Sequence, residues 1–260
     1  MNKVIVPLNA FADQDVYNKG QAAFIAPIFN GGAYGVEIRR ELIKNLNTEL
    51  AVLKDRLKDY GLFVVYSAPA GLWCENGELN SEELELICQE ASGLGASLLK
   101  VSLGNYQASR SPFDSLRELI DRWSPQLEIL IENDQTDYGG RLEVLKDFFT
   151  TASNEGVSIE MTFDVGNWKF VNEEMDEALQ ALGHRVRYLH LKYVTERHGE
   201  LVTLPLLEDE EEQWKQAAGQ FSAEILKALE FPVQDEKDVA AYVEMVGRAG
   251  LESEDGVWKN

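Results

Sequence analysis

Short runs of β-branched and other apolar residues alternate with amphipathic segments along nearly the whole chain of 260 residues. Between the runs, apolar residues recur with helical spacing, as at Leu46, Leu50, Leu53 and Leu57. Eight strands that alternate with helices over about 250 residues are typical of a (β/α)8 barrel. The eight runs are Val4–Leu8, Gly35–Arg39, Leu62–Ser67, Leu98–Leu103, Leu127–Asn133, Ser158–Asp164, Val186–Tyr193 and Ile225–Phe231.

The end of the first run favours this barrel over a doubly wound open sheet, which also alternates strands with helices. An open sheet of that kind usually carries a glycine-rich phosphate turn there, but the chain reads Pro7-Leu8-Asn9-Ala10-Phe11. Polar and charged residues also follow at least five of the runs, and a barrel gathers the strand ends into one mouth. We therefore predict an α/β fold, a single (β/α)8 TIM barrel over residues 1–260.

The charge of the chain limits its partners. Acidic residues outnumber basic ones by 45 to 24, which gives a formal net charge of −21. Such a protein is repelled by phosphate backbones and anionic lipid, so we exclude nucleic acid as the main partner and expect no membrane partner. The segment Met1–Pro7 lacks the apolar region of a secretory signal, and no apolar stretch approaches the roughly 20 residues of a membrane span. We predict a cytoplasmic protein with free thiols at Cys74 and Cys88, and an exposed helix start at Glu208–Glu212.

Four consecutive strand ends carry the residues that point to chemistry. Strands five to eight each end an apolar run in one side chain that is costly to bury, namely Glu132, Asp164, His190 and Glu230. Three carboxylates inside one barrel would repel one another, and a divalent cation removes that objection. Three carboxylates and one imidazole suit Mn²⁺ or Mg²⁺ best, and Zn²⁺ or Co²⁺ also fit. Two coordination positions would remain for water or substrate.

Other polar residues share the inward register of these strands. Lys192 lies two residues beyond His190 and therefore points to the same side, where it would bind an anionic group of a substrate or pair with Asp164. Glu37 and Arg39 share one face of strand two, so they either contact the substrate or pair with each other. Lys100 and Ser102 on strand four also follow the inward register, with weaker support.

Trp73 and Trp168 lie in the loops that follow strands. An indole there either stacks on a sugar ring or, as we expect more often, packs against the core or the loop. We expect His184 and His198 to be exposed.

The order Glu–Asp–His–Glu on strands five to eight resembles the xylose-isomerase-like barrels, in particular the sugar and ketose 3-epimerases and the hydroxypyruvate isomerases. The resemblance covers nearly the whole chain and implies the same barrel fold and the same four metal ligands. The matching segments are Ile131-Glu132-Asn133, Phe163-Asp164-Val165-Gly166-Asn167, Leu189-His190-Leu191-Lys192 and Glu230-Phe231-Pro232, with Gly35-Val36-Glu37-Ile38 on strand two.

The chain departs from this family at positions that contact substrate. Many of its epimerases carry a histidine a few residues after the strand-six aspartate, where this chain has Asn167 followed by Trp168. These epimerases often have an arginine shortly after the strand-seven histidine; Arg197 either takes its place or faces solvent. A histidine is also frequent at the end of strand three, where this chain reads Ser67-Ala68-Pro69. These departures concern substrate contacts and leave the metal ligands intact.

The resemblance implies a metal-dependent isomerase or epimerase of a small sugar or sugar acid, with proton transfer by Glu132 and Glu230 through a cis-enediolate. A dehydratase of an inosose or keto-acid and a non-catalytic sugar-binding barrel remain alternatives. A nuclease of the endonuclease IV type needs many histidines, and the chain has three. Xylose isomerase itself has a longer chain and a ligand set richer in carboxylates. A homodimer is common among the resembling proteins; the substrate and its phosphorylation stay open.

Overall fold

A computed structural model describes residues 3–207 and 213–249, and these contain a closed barrel of eight parallel strands. The order around the barrel follows the chain, because each strand pairs with the next barrel strand and the last pairs with the first. All eight predicted strands form, so the predicted TIM-barrel fold class is confirmed. The barrel strands are β1 (Val4–Pro7), β2 (Gly35–Arg39), β3 (Phe63–Trp73), β4 (Leu98–Gly104), β5 (Glu128–Glu132), β6 (Glu160–Asp164), β7 (Val186–Leu191) and β10 (Leu226–Leu229).

Helices follow the strands and cover the outside of the barrel. Helix α3 shows how local sequence sets their limits, because the Asn45 side chain accepts a hydrogen bond from the Thr48 N–H at its start and Gly61, at φ 62°, ends it. The helices in the described residues are α1 (Asp13–Lys19), α2 (Ile25–Asn30), α3 (Leu46–Tyr60), α4 (Ser81–Leu94), α5 (Phe113–Trp123), α6 (Leu142–Asn154), α7 (Asn167–Phe170), α8 (Met175–Leu182), α9 (Gln213–Gly219) and α10 (Val239–Arg248).

The interior of the barrel has an apolar floor and a polar mouth. A small buried cluster of one residue from each of six strands fills the lower interior: Ile5, Val65, Leu98, Leu130, Tyr188 and Ala228. Side chains alternate between the two faces of a strand, so residues two further along point into the same interior, nearer the mouth. This register brings Lys100, Glu132, His190 and Glu230 into the mouth, while the remaining apolar side chains pack under the helices.

Two segments differ from the prediction. Strand β3 runs on to Trp73, with a register shift against β4 between Ser67 and Gly71. The chain after β7 forms an antiparallel hairpin of β8 (Tyr193–Arg197) and β9 (Glu200–Leu204). Residues with positive φ, His198 and Gly199, make its turn.

The structure also bears on the remaining expectations from composition. Cys74 is half-buried and Cys88 buried, and both are free. His198 is exposed. Glu208–Glu212 lies outside the described residues. Among the described residues, none of the helices combines the length and the apolar character that a membrane crossing requires.

We expect Lys227→Met to stabilise the fold at neutral pH. Lys227 lies on the outer face of β10 with 1% of its surface exposed. Within residues 3–207 and 213–249, its Nζ donates to two backbone carbonyls, at 3.1 Å from Ala223 O and 3.5 Å from Ile225 O. Burial lowers the pKa of Lys227 from 10.5 to about 8, so the folded state holds its charge at a cost. The variant should gain up to about 3 kcal/mol in the free energy of unfolding at pH 7.

The gain should depend on pH in one direction. Between pH 8 and 10.5 the unfolded chain keeps this proton and the folded chain does not, so the wild type gains stability relative to the variant as pH rises. The advantage of Lys227→Met should therefore be constant below about pH 8 and vanish above about pH 10.5. Urea unfolding across this range measures it, with Lys58→Met on the exposed side of α3 as the control. A less stable Lys227→Met at pH 7 would contradict the expectation.

Candidate metal centre

The four predicted ligands meet in the mouth of the barrel. Glu132, Asp164, His190 and Glu230 each offer one donor atom, and these atoms all lie within 4.8 Å of one another. His190 Nδ1 lies 2.9 Å from Glu230 Oε2, 3.2 Å from Glu132 Oε1 and 4.0 Å from Asp164 Oδ2. Three carboxylates thus surround one imidazole nitrogen.

Glu37 fixes the other side of the imidazole. Its fully buried carboxylate lies 2.9 Å from His190 Nε2 through Oε2, which also accepts a hydrogen bond from the Tyr188 hydroxyl. Burial alone would raise the pKa of Glu37, but Lys100, His190 and Arg39 together hold it well below its usual range. An ionised Glu37 accepts the Nε2–H, so Nδ1 of the neutral ring carries the lone pair.

The surroundings of His190 Nδ1 show whether the centre fits a cation. Among the described residues this buried nitrogen has no hydrogen-bond partner, and in the neutral ring it presents an acceptor to three other acceptors. Burial and Lys100 lower the pKa of His190, but Glu230 and Glu37 outweigh them and raise it to about 9. The centre therefore requires positive charge at Nδ1, supplied by a proton or by a metal ion. Three carboxylate oxygens and one imidazole nitrogen fit Mn²⁺, Mg²⁺, Zn²⁺ or Co²⁺.

Asp164 is held by the backbone around it. Its Oδ1 accepts hydrogen bonds from the N–H groups of Gly166 and Asn167, both at 2.9 Å. The Asn133 amide bridges the Asp164 backbone, donating to its carbonyl and accepting from its N–H. Burial raises the pKa of Asp164 well above its usual value and Glu230 adds to the rise, although Lys192 opposes it. These contacts leave Oδ2 for the centre.

Three basic residues neutralise the carboxylates. Lys100 Nζ lies 2.8 and 2.9 Å from the two oxygens of Glu132. Lys192 Nζ lies 2.7 Å from Asp164 Oδ2 and 3.2 Å from Glu230 Oε2, and Arg39 Nη1 lies 3.5 Å from Glu230 Oε1. Lys192 and His190 hold the pKa of Glu230 well below its usual range, although burial raises it.

The predicted substrate contacts lie in different surroundings. Lys192 points into the mouth, in the register predicted for it, and pairs with Asp164. Arg39 pairs with Glu37 at 2.8 Å, the alternative role that the sequence left open. The Asn167 amide donates to Asn133 O, and Trp168 is buried against Phe163. Contact of Glu37, Arg39, Lys192, Asn167 and Trp168 with a substrate stays a prediction.

Sequence reasoning missed several residues that support the centre. Tyr188 was detectable, because it precedes His190 by two residues and shares its inward parity. Asn9, whose amide donates to Glu230 Oε1 at 3.3 Å, is the first polar residue after β1. Asn133 gave no usable signal, since its bond to the Asp164 backbone depends on how the ends of the neighbouring strands β5 and β6 approach each other.

Comparison with known proteins extends the fold assignment. No protein-family model matches the chain, and no curated protein matches it. Among solved structures, it is similar to a xylose isomerase domain-containing protein from Salmonella typhimurium, with 15% identity, 98% of this chain and 97% of that chain covered, and a TM-score of 0.66. The zinc-bound IolI protein gives 13% identity, 95% and 99% coverage and a TM-score of 0.68.

Two further solved structures carry the names of enzymes. A D-allulose 3-epimerase from Methylomonas, solved with D-allulose, shares 14% identity over 95% of this chain and 94% of that chain, with a TM-score of 0.60. A probable 3-DHS dehydratase from Bacillus anthracis shares 12% identity over 94% and 98%, with a TM-score of 0.64. At these identities the likeness establishes the fold alone, and the chain shares the TIM-barrel fold of these structures.

Proposed function

We propose that this protein is a divalent-metal-dependent isomerase or epimerase of a small hydroxy-carbonyl sugar or sugar acid. One observation carries the proposal. Of the four donor side chains, Asp164 and His190 are fully buried, whereas Glu132 and Glu230 are 15% and 12% exposed. The two carboxylates to which the resemblance assigns proton transfer are therefore the two that a substrate can reach.

The metal would be held by Glu132, Asp164, His190 and Glu230. When bound, it would polarise the substrate carbonyl and stabilise the negative charge of the enediolate, an effect worth several kcal/mol. The IolI structure with its bound zinc atom supports a divalent cation in this fold, and Mn²⁺ and Mg²⁺ suit the oxygen-rich donor set.

The chain's own residues move the proton. One of Glu132 and Glu230 removes the proton from the carbon beside the carbonyl. The other returns a proton to the opposite face of that carbon in epimerisation, while in isomerisation the proton goes to the neighbouring carbon. Lys100 holds both oxygens of Glu132, and Lys192, Arg39 and Asn9 hold Glu230, so both bases are oriented before the substrate arrives.

A structural neighbour supports the substrate class. The D-allulose 3-epimerase, solved with its sugar, supports a small sugar as the partner. A cytoplasmic location and a homodimer belong to the same proposal.

Dehydration of a keto-acid is the second candidate, favoured by the probable 3-DHS dehydratase that shares the fold. Elimination would need a proton donor for the leaving hydroxyl, and the Lys192 ammonium lies beside Glu230 at 3.2 Å. An assay in D₂O separates the two reactions, because a dehydratase loses water whereas an epimerase returns deuterium to the α-carbon. A sugar-binding barrel without catalysis exchanges nothing.

We expect one Mn²⁺ to bind per chain and Asp164→Asn to weaken this binding at least about tenfold. Asparagine keeps the oxygen that accepts from Gly166 and Asn167 but replaces the negative Oδ2. Isothermal titration calorimetry on protein dialysed against a chelator measures the affinity, and Asp114→Asn on the surface of α5 is the matched control. Equal Mn²⁺ affinity in Asp164→Asn and the wild type would contradict the site.

We expect Glu132→Gln and Glu230→Gln each to lower turnover by about 10²–10⁴-fold, because each removes one proton-transfer group. Both transfers belong to one turnover, so the double variant should lose much less than the product of the single losses. A panel of ketoses and keto-acids with added Mn²⁺ in D₂O provides the assay.

A single variant should keep a diagnostic half-reaction. With one glutamate left, the protein should still exchange the α-proton of the substrate with solvent while failing to invert the centre. Mass spectrometry of recovered substrate detects the exchange. Near-wild-type turnover in both single variants would rule out the two-glutamate mechanism.

A further inference from the structure

We propose that the substrate of this site carries a carboxylate and that Arg39 and Lys192 bind it. The inference rests on the proposed function, because it assumes that a divalent cation occupies the centre. The inference narrows the proposed substrate class from sugars and sugar acids to sugar acids with a single negative charge.

The charge balance of the mouth is the first observation. Among the described residues, ionic contacts join four carboxylates with three permanent cations, and none of these seven side chains is more than 15% exposed. Arg39 also contacts Glu41, whose side chain is 32% exposed. A metal ligand must be deprotonated, so with His190 neutral and Asp164 ionised as ligands the seven side chains of this network carry one net negative charge. The carboxylates are Glu37, Glu132, Asp164 and Glu230, and the cations are Arg39, Lys100 and Lys192.

A divalent cation reverses this balance. It adds two positive charges, so the loaded centre would hold one net positive charge in a nearly dry interior, which is costly without a counter-ion. A neutral ketose leaves that charge uncompensated, and a phosphate dianion exceeds it. A single carboxylate neutralises it. Glu41 contacts Arg39 from the solvent-exposed rim, and Asp134 accepts from Thr136 in its own loop, so neither belongs to the buried network.

The geometry identifies which cations would meet the carboxylate. Lys100 is 2% exposed and its ammonium is enclosed by Glu132 and Glu37. Arg39 and Lys192 are 14% and 7% exposed and approach opposite oxygens of Glu230, at 3.5 Å from Oε1 and 3.2 Å from Oε2. They therefore lie on both sides of a group proposed to transfer the proton.

Arg39 and Lys192 both have more N–H donors than their contacts in the described residues use. The Lys192 ammonium has three N–H donors, and its contacts in the described residues are with Asp164 and Glu230. The Arg39 guanidinium has five N–H donors, and its hydrogen bonds within the described residues use those on Nε and Nη1. Guanidinium and ammonium groups make strong charge-assisted hydrogen bonds to carboxylates.

The backbone of Arg39 is fixed before any ligand binds. Buried Gln21 donates to Arg39 O at 2.7 Å and accepts from Arg39 N at 2.9 Å, as a neighbouring strand would. Its guanidinium is oriented by Glu37 and Glu41. A preorganised arginine of this kind loses little entropy when it binds an anion.

The test compares D-gluconate with D-glucitol, which differ only in a carboxylate against a hydroxymethyl group. Calorimetry at pH 7.5 on the Mn²⁺-loaded protein should show gluconate binding at least about tenfold more tightly than glucitol, and more tightly than inorganic phosphate. Because gluconate also chelates metal ions, the affinity difference alone does not identify the residues, and variants are needed.

Arg39→Met and Lys192→Met should each weaken gluconate binding at least about tenfold without weakening Mn²⁺ binding. In Lys192→Met the Mn²⁺ affinity should rise, because an ammonium 2.7 Å from Asp164 Oδ2 no longer opposes the metal. Lys192→Arg, which keeps the charge, should retain more gluconate affinity than Lys192→Met. Lys58→Met on α3 should leave both affinities unchanged.

The outcomes separate the inference from the proposed function. If the wild type binds no Mn²⁺, the proposed function fails. If it binds Mn²⁺ but binds gluconate no better than glucitol, or binds phosphate more tightly, the inference is overturned while the metal centre stands. If Lys192→Met and Arg39→Met lose Mn²⁺ and gluconate binding together, their roles are structural, and the inference is again overturned.

Discussion

Repulsion among carboxylates at the ends of neighbouring strands is the constraint on which the rest of this mouth depends. The barrel register brings Glu132, Asp164 and Glu230 within reach of one donor atom, His190 Nδ1, in an interior that excludes most water. Three unpaired carboxylates there would cost far more than a small domain has in net stability. Lys100, Lys192 and Arg39 offset this cost, and each pairs with at least one of the carboxylates.

Glu37 continues this network of ionic contacts further into the barrel, below the candidate metal ligands. Its two oxygens divide their contacts, with Oε2 facing His190 and Tyr188 and Oε1 facing Arg39 and Lys100. It therefore sets the tautomer of the imidazole and anchors two of the balancing cations at once. The cost of burying this carboxylate is offset because both of its oxygens have charged or hydrogen-bonding partners. Removal of any one partner would leave part of the buried charge unpaired.

The barrel and the proximity of the four candidate ligands could be predicted from the sequence, because both follow from a simple period. Strand and helix alternate along the chain, and residues two apart on a strand share a face, so the parity of Lys192 with His190 located Lys192 correctly in the mouth. The β8–β9 hairpin was not predicted, since the run through Tyr193 reads as one strand and only positive φ at His198 and Gly199 marks the turn. The division of contacts at Glu37 could not be predicted from the sequence, because it depends on Arg39 on the same strand and on residues of two other strands, β4 and β7.

If the proposed function holds, charge balance would also order the binding events in the mouth. Lys192 and Arg39 pair with Asp164 and Glu230, so an anion that arrived before a metal ion would compete with those carboxylates. A divalent cation held by the same oxygens would weaken their ionic contacts with the basic side chains. Lys192 and Arg39 would then be available to a substrate carboxylate, beside the two partly exposed glutamates. The basic residues that pair with these carboxylates would thus become the anion-binding groups of the metal-loaded centre, and metal binding would precede substrate binding.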